Sequence, residues 1–333
     1  MRKCMTIAAV AAVVLTCVSG TQANVVMETV PVGNVGNTGD VQSQGIFGAV
    51  DYTYNIGKYE VTAGQYRDFL NAVDPTGANP YGLYNSLMNS DSYGCQITWN
   101  AESSSYDFSG RPSGTEADWT DRPVNYVSWG DSARFANWLH NGQGSGDTET
   151  GSYDLNGAMS DEDLMAVTRQ ADATWAIPTE DEWYKSAYHY NDGVTGNYFD
   201  YPTSSDSVPS NDLDGGGNNA TFHDGDFTIG SPYYRTEFGA HVNSESPYDT
   251  FDQGGNVFEW NEAILYPEYG GYRGLRGGWF FFGVGPLHAA NQGYHLPTAE
   301  FDSYGFRVAE VPEPAAIALL AFGAVGVLGR RGR

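Results

Sequence analysis

The chain is poor in positive charge, in cysteine and in long apolar runs. Lys and Arg together number 16 against 41 Asp and Glu, for a formal net charge of −25. So few basic residues argue against nucleic acid or anionic lipid as a partner, because phosphate binding needs clustered Lys and Arg. Of the three cysteines, Cys4 and Cys17 fall in the first 23 residues and only Cys95 lies beyond them. No disulfide framework can be built from one thiol. Cys95, in "SYGCQITWN", reads as a small buried hydrophobe. No cationic neighbour in the sequence marks it as a reactive thiolate. A G-x-S-x-G elbow, an H-E-x-x-H helix, a G-x-x-x-x-G-K loop and repeats of solenoid length are all missing. Charged residues make up only 17% of the chain while aromatics reach 14%, which describes a folded body and not an acidic disordered segment.

The two ends carry targeting chemistry. Residues 1–23 read as a secretory signal peptide for signal peptidase. Arg2 and Lys3 form its positive start, Ile7 to Val18 the apolar stretch, and Thr21-Gln22-Ala23 the small-x-small cleavage site. Thr16 before Cys17 does not suit a lipoprotein box, so ordinary cleavage is expected. Residues 311–333, "VPEPAAIALLAFGAVGVLGRRGR", hold the apolar run Ala315 to Gly329, short of the roughly 20 residues of a comfortable span. Arg330, Arg331 and Arg333 close it as a positive stop. The Val-Pro-Glu-Pro, the short apolar run and the arginines together resemble the PEP-CTERM sorting signal of Gram-negative bacteria. That resemblance implies reading and removal by a membrane exosortase and only transient membrane contact through the tail. It also implies delivery to the cell surface or its polysaccharide matrix; a plain C-terminal anchor is the alternative. Because five basic residues fall in these ends, the remaining body is more acidic than the whole chain, which suits solubility outside the cell and attraction of divalent cations.

Residues 24–310 are long enough for one domain with a sizeable core. Three helices are announced by their start signals: Thr62 before Tyr66, Phe69, Leu70 and Val73; Ser128 with Asp131; and Thr179 with Glu182. Short aromatic strands are expected in "FGAVDYTYNIGKYEV", "LRGGWFFF" and "YGFRVAEV", with at least two of Trp279 to Phe282 facing the core as alternate strand positions. Ser204 to Ser231 has no periodicity and reads as a long loop in need of ligands to hold it. The composition points to an α+β domain with few helices and short twisted strands.

"YNIGKYEVTAGQYRDFLNAV", "RPVNYVSWGDSARFANWL", "WAIPTEDEWYKSAY", "GGNVFEWNE", "LRGGW" and "YGFRVA" follow one another in this order. The series resembles the formylglycine-generating enzyme, or sulfatase-modifying factor, family, which implies a C-type-lectin-like fold. The resemblance also implies calcium, with Asp252 and Glu259 giving carboxylates and Gly255 and Val257 carbonyl oxygens, as suits a hard cation. A second calcium site would begin at Asn219 and Ala220, its later ligands near Tyr234 to Phe238. Active members oxidise a substrate cysteine with two copper-binding cysteines placed after the glycine pair. Here Gly277-Gly278 is followed by "WFFFGVGPLHAANQ", which offers no soft sulfur for copper. The expectation is a catalytically incomplete, calcium-ordered ligand-binding module on a pseudoenzyme scaffold. Phe281, Phe282, His288, Asn291, Tyr294 and His295 would present its binding face to an extracellular polysaccharide or peptide. A structural matrix protein and an oxidase with a different metal set stay open as alternatives.

Overall fold

The computed structural model describes residues 24–213 and 215–311. The expected signal peptide and nearly all of the expected sorting tail lie outside these residues. Among them, no helix is long and apolar enough to cross a membrane.

The three expected helices form at the expected caps. Ala63–Val73, Trp129–His140 and Glu180–Tyr188 each begin with a capping box, in which Thr62, Ser128 and Thr179 accept from the backbone of Gln65, Asp131 and Glu182. The partner side chain at the third helical position returns the bond to the cap backbone, so two otherwise orphaned N–H groups are met at each start. The apolar stripe of the first helix then buries Tyr66, Phe69 and Leu70 against Phe135, Trp138 and Phe306.

Two four-stranded sheets carry the rest. In one, Thr29–Val32, Tyr54–Gly57, Ala309–Glu310 and Trp175–Ala176 lie side by side, so the C-terminal strand fills a central place. In the other, Gly293–His295, Tyr272–Arg276, Phe258–Leu265 and Tyr304–Gly305 follow in that order. Few helices and many short strands make this an α+β fold, as the composition and the motif series imply. Cys95 is buried in the main core, as a small hydrophobe should be.

One expectation fails. The strand entering the aromatic run stops at Arg276, and Trp279 to Phe282 form a turn. Gly277 and Gly278 adopt φ of 95° and 85°, and a Cβ on either would come within 2.7 Å of Gln253 O or Leu287 Cδ1. This backbone, open to glycine and closed to other residues, bends the chain out of the sheet. Of the four rings only Phe280 is then fully buried. The 204–231 segment has internal ties. Its own amides pin it: Asn218 Nδ2 donates to the carbonyls of Ser207 and Val208, and Asn211 Nδ2 to those of Phe222 and Asp226. A small hairpin, His223–Asp224 with Asp226–Phe227, also forms within it.

The sheets and the third helix meet at one buried ion pair. Arg307 Nε and Nη2 donate to the two oxygens of Glu259 at 2.6 and 2.7 Å, and both side chains are fully buried. Trp183 Nε1 donates to Glu259 Oε2 at 2.7 Å. The remaining N–H groups of Arg307 reach the carbonyls of Gly57 and Phe251 at 2.8 and 2.9 Å. Burial alone would lower the Arg307 pKa, but Glu259 holds it above the ordinary arginine value. Removing one partner strands a buried charge. Arg307→Met should therefore cost about 3–5 kcal/mol in urea unfolding, whereas Glu259→Leu with Arg307→Met should cost clearly less than Arg307→Met alone.

A half-buried carboxyl, Glu300, beside buried Asp131 gives a pH signature. Burial and the neighbouring Asp131 carboxyl push Glu300 up to about 8, and burial raises Asp131 as well. Both folded-state pKa values exceed the unfolded ones, so the native state holds more protons between the ordinary carboxylate range and about pH 8. Stability should fall as pH rises through that window, and Glu300→Gln should flatten the slope in denaturant midpoints measured from pH 5 to pH 8.

Candidate functional site

The expected calcium ligands surround the buried ion pair. Gly255 has φ of 88°, and a Cβ there would stand 1.9 Å from Thr221 O, so only glycine fits this close approach. Asp252 also has a positive φ, and its Oδ2 accepts from Gly239 N at 2.7 Å. Burial pushes the Asp252 carboxyl up to about 6. Glu259, expected as a free metal carboxylate, instead has its charge met by Arg307, a partner that sequence distance concealed.

A third carboxyl, Glu60, was not foreseen. It is buried, its Oε1 has no hydrogen-bond partner, and its Oε2 accepts from Asn256 Nδ2 at 3.2 Å. Burial, followed by repulsion from Glu259 and Asp252, drives its pKa well above the carboxylate range. Three carboxyls therefore share one guanidinium, and neither Glu60 nor Asp252 has an ion pair of its own among the described residues. That surplus of negative charge, with an orphaned buried oxygen, fits a divalent cation. Among the described residues no group of three or more His, Cys, Asp or Glu is gathered closely enough to hold a metal by side chains alone. Main-chain oxygens such as those expected of Gly255 and Val257 would complete the shell.

Asn219 and Ala220 serve the loop. Asn219 Nδ2 donates to Asp212 O at 2.7 Å, and Ala220 O accepts from Thr228 Oγ1 at 3.4 Å. Within the stretch expected to supply their later partners, Thr236 N donates to Asn256 Oδ1 at 2.9 Å.

The aromatic turn forms the second feature. Phe280 N donates to Asn256 O at 3.1 Å and His223 N to Phe282 O at 2.9 Å, fixing the turn between the 252–259 segment and the small hairpin. Phe281 and Phe282 stand out, 45% and 57% exposed. The Phe281 ring lies 5.8 Å from Tyr93, 5.3 Å from Phe227 and 5.6 Å from Trp279. Tyr234 closes the group at 4.7 Å from Tyr93 and 5.1 Å from Phe227. These are favourable aromatic separations, and the result is a preformed apolar face with hydroxyls at its margin.

Beneath this face lies Arg235, fully buried, with its guanidinium 5.7 Å from the Phe280 ring centre. Nη1 donates to Tyr93 O, while Nε and Nη2 find no partner. Burial lowers its pKa to about 10. Arg235 is also the cationic neighbour of Cys95 that the sequence did not reveal, yet burial prevails and the thiol pKa is raised. Cys95 is thus an unreactive thiol, and it is the one free cysteine among the described residues.

The other four expected ligand residues do not join Phe281 and Phe282. His288 packs edge-on to Tyr201 at 5.3 Å and stands 3.6 Å from Asp200. Asn291 offers its carbonyl to Arg276. Tyr294 packs on Tyr266 and Tyr272, whereas His295 packs on Phe301 and Tyr304. The last two are adjacent in a strand, so their side chains leave on opposite faces. Six residues expected on one surface therefore divide among separate neighbourhoods. Tyr93, Phe227 and Tyr234 complete the Phe281 group and gave no local signal, since each lies far in sequence from the glycine pair.

Comparison with known proteins adds the following. Residues 24–311 match the sulfatase-modifying factor enzyme 1-like domain, and residues 310–333 match the PEP-CTERM protein-sorting motif. Among solved structures, CarF is similar with a TM-score of 0.51 at 19% identity, covering 86% of this chain and 99% of that one. Variable protein 1 of Treponema denticola is similar with a TM-score of 0.50 at 17% identity, covering 88% and 98%. At these identities the likeness speaks to the fold alone. No curated protein matches the chain.

Proposed function

The chain belongs to the sulfatase-modifying factor enzyme 1-like family, and from that premise we propose a calcium-ordered ligand-binding module that lacks the family's sulfur chemistry. Its sorting motif marks it for exosortase processing and export to the cell surface. One observation carries the reading. Where the family resemblance calls for a cysteine pair after the glycines, this chain has Phe281 and Phe282 exposed over a preformed ring cluster. The single described cysteine is buried beside Arg235 with a raised pKa. Such a face can hold a ligand by stacking and desolvation, but it has no soft donor for copper. Glu60 and Asp252, with main-chain oxygens of Gly255 and Val257, would hold calcium, while Glu259 stays with Arg307. The ion would neutralise the surplus carboxyl charge directly behind the aromatic turn.

Binding of the exported protein to glycan and peptide arrays should weaken about tenfold on Phe281→Ala, the loss of one well-packed aromatic contact. Conversion of a cysteine-bearing sulfatase peptide to an aldehyde by the purified protein, with or without copper, would overturn the reading. Calcium should raise the melting temperature and EDTA should reverse the rise. Glu60→Gln should remove most of that calcium response while leaving the Arg307–Glu259 pair in place. Equal melting temperatures with calcium and EDTA would remove the calcium assignment and leave the aromatic face standing.

A further inference from the structure

A second aromatic surface, unconnected by any ring contact to the Phe281 group, lies at the other sheet edge. Tyr266, Tyr272 and Tyr294 pack at 4.9 to 6.4 Å between ring centres. Tyr269 projects beside them, 76% exposed, and Tyr266 and Tyr294 are each more than two-fifths exposed. Folding alone gives no reason to leave three tyrosines in water around one short loop. The backbone holds them there at some cost: Tyr266 sits in the left-handed region with φ 51° and ψ 50°. A bulky residue is rarely found there, and such strain tends to mark function. Its carbonyl accepts from Tyr269 N at 2.9 Å and from Gly271 N at 3.2 Å, so the loop is fixed in shape.

A groove of about 480 Å³ lies next to them, lined by Leu265, which pairs with Tyr272 in the sheet, and by Gln292, two residues before Tyr294. Its polar wall is preset. Gln292 Nε2 donates to both oxygens of Glu180 at 2.7 and 2.8 Å, and Arg276 Nε donates to Oε1 at 2.8 Å. Asp181 lines the same wall, its Oδ1 accepting from Gly48 N at 2.8 Å. Ile46 and Ile264 form an exposed apolar rim.

We infer that this groove and its tyrosine platform bind a neutral hexose polysaccharide. A pyranose has one face of C–H bonds, which stacks on a tyrosine ring, and a rim of hydroxyls, which need fixed acceptors and amides such as Glu180 and Gln292. Charge decides between sugar classes. Glu180 is already paired with Arg276, so Asp181 in the groove and a net charge of −25 on the chain repel uronate polymers and leave neutral ones as the fit. The surface stands apart from the Phe281 face, and its failure would leave that reading intact.

Affinity electrophoresis of the exported protein in gels containing hydroxyethyl cellulose, galactomannan or alginate tests this. One of the two neutral polymers should retard the wild-type protein and alginate should not. Tyr269→Ala, at a side chain free in solvent, should weaken retardation about tenfold with an unchanged melting curve, and Tyr294→Ala should weaken it to a similar degree. Phe281→Ala should bind the neutral polymer as the wild type does. The inference is overturned if neither neutral polymer retards the protein, if alginate retards it as strongly, or if Tyr269→Ala and Tyr294→Ala bind unchanged. It is overturned equally if Phe281→Ala alone abolishes retardation, which would move the sugar to the other face.

Discussion

The fold depends on one guanidinium. Arg307 reaches a carboxylate on one sheet, a carbonyl at the end of a strand of the other, and a carbonyl of the loop between them. Trp183 brings the third helix to the same carboxylate. A buried pair of this kind is not a generous source of stability, because desolvation offsets most of the attraction. Its use here is geometric. Each donor and acceptor has a fixed direction, so segments separated by up to 250 residues are held in one register. Three motifs that look weak singly, the strand ending at Gly57, the helix carrying Trp183 and the strand carrying Glu259, are partners of a fourth, which carries Arg307.

The same economy shapes the surface. Arg134, Arg169, Arg276 and Arg307 each spend their charge on a carboxylate while mostly or wholly buried. Arg235 and Arg273 are buried over aromatic rings. With so few basic residues to begin with, sending arginines inward leaves the outside strongly acidic. That field disfavours polyanions everywhere on the body. It also makes carboxyls without an arginine of their own among the described residues, buried Glu60 and half-buried Asp252 above all, the places where a cation gains most. Exposed tyrosines and phenylalanines are then the main means of holding a neutral ligand.

The sequence determined what local rules and composition can reach. The three capping boxes fixed the helix starts, because a cap is a contact between residues three apart. The scarcity of cysteine excluded a disulfide framework, and the ordered motifs pointed to the family. Tertiary structure decided which charges meet and which rings share a face. Glu259 looked like a free ligand because Arg307 is 48 positions away, and nothing in the sequence singled out Glu60, which the fold encloses. The four-ring run read as a strand by its alternation, but two adjacent glycines with positive φ turned it outward. Tyr294 and His295 are neighbours in the chain, yet the pleat of a strand sends them to opposite sides. Contacts within a turn of helix are written in the sequence; contacts across the core are set only when the chain closes on itself.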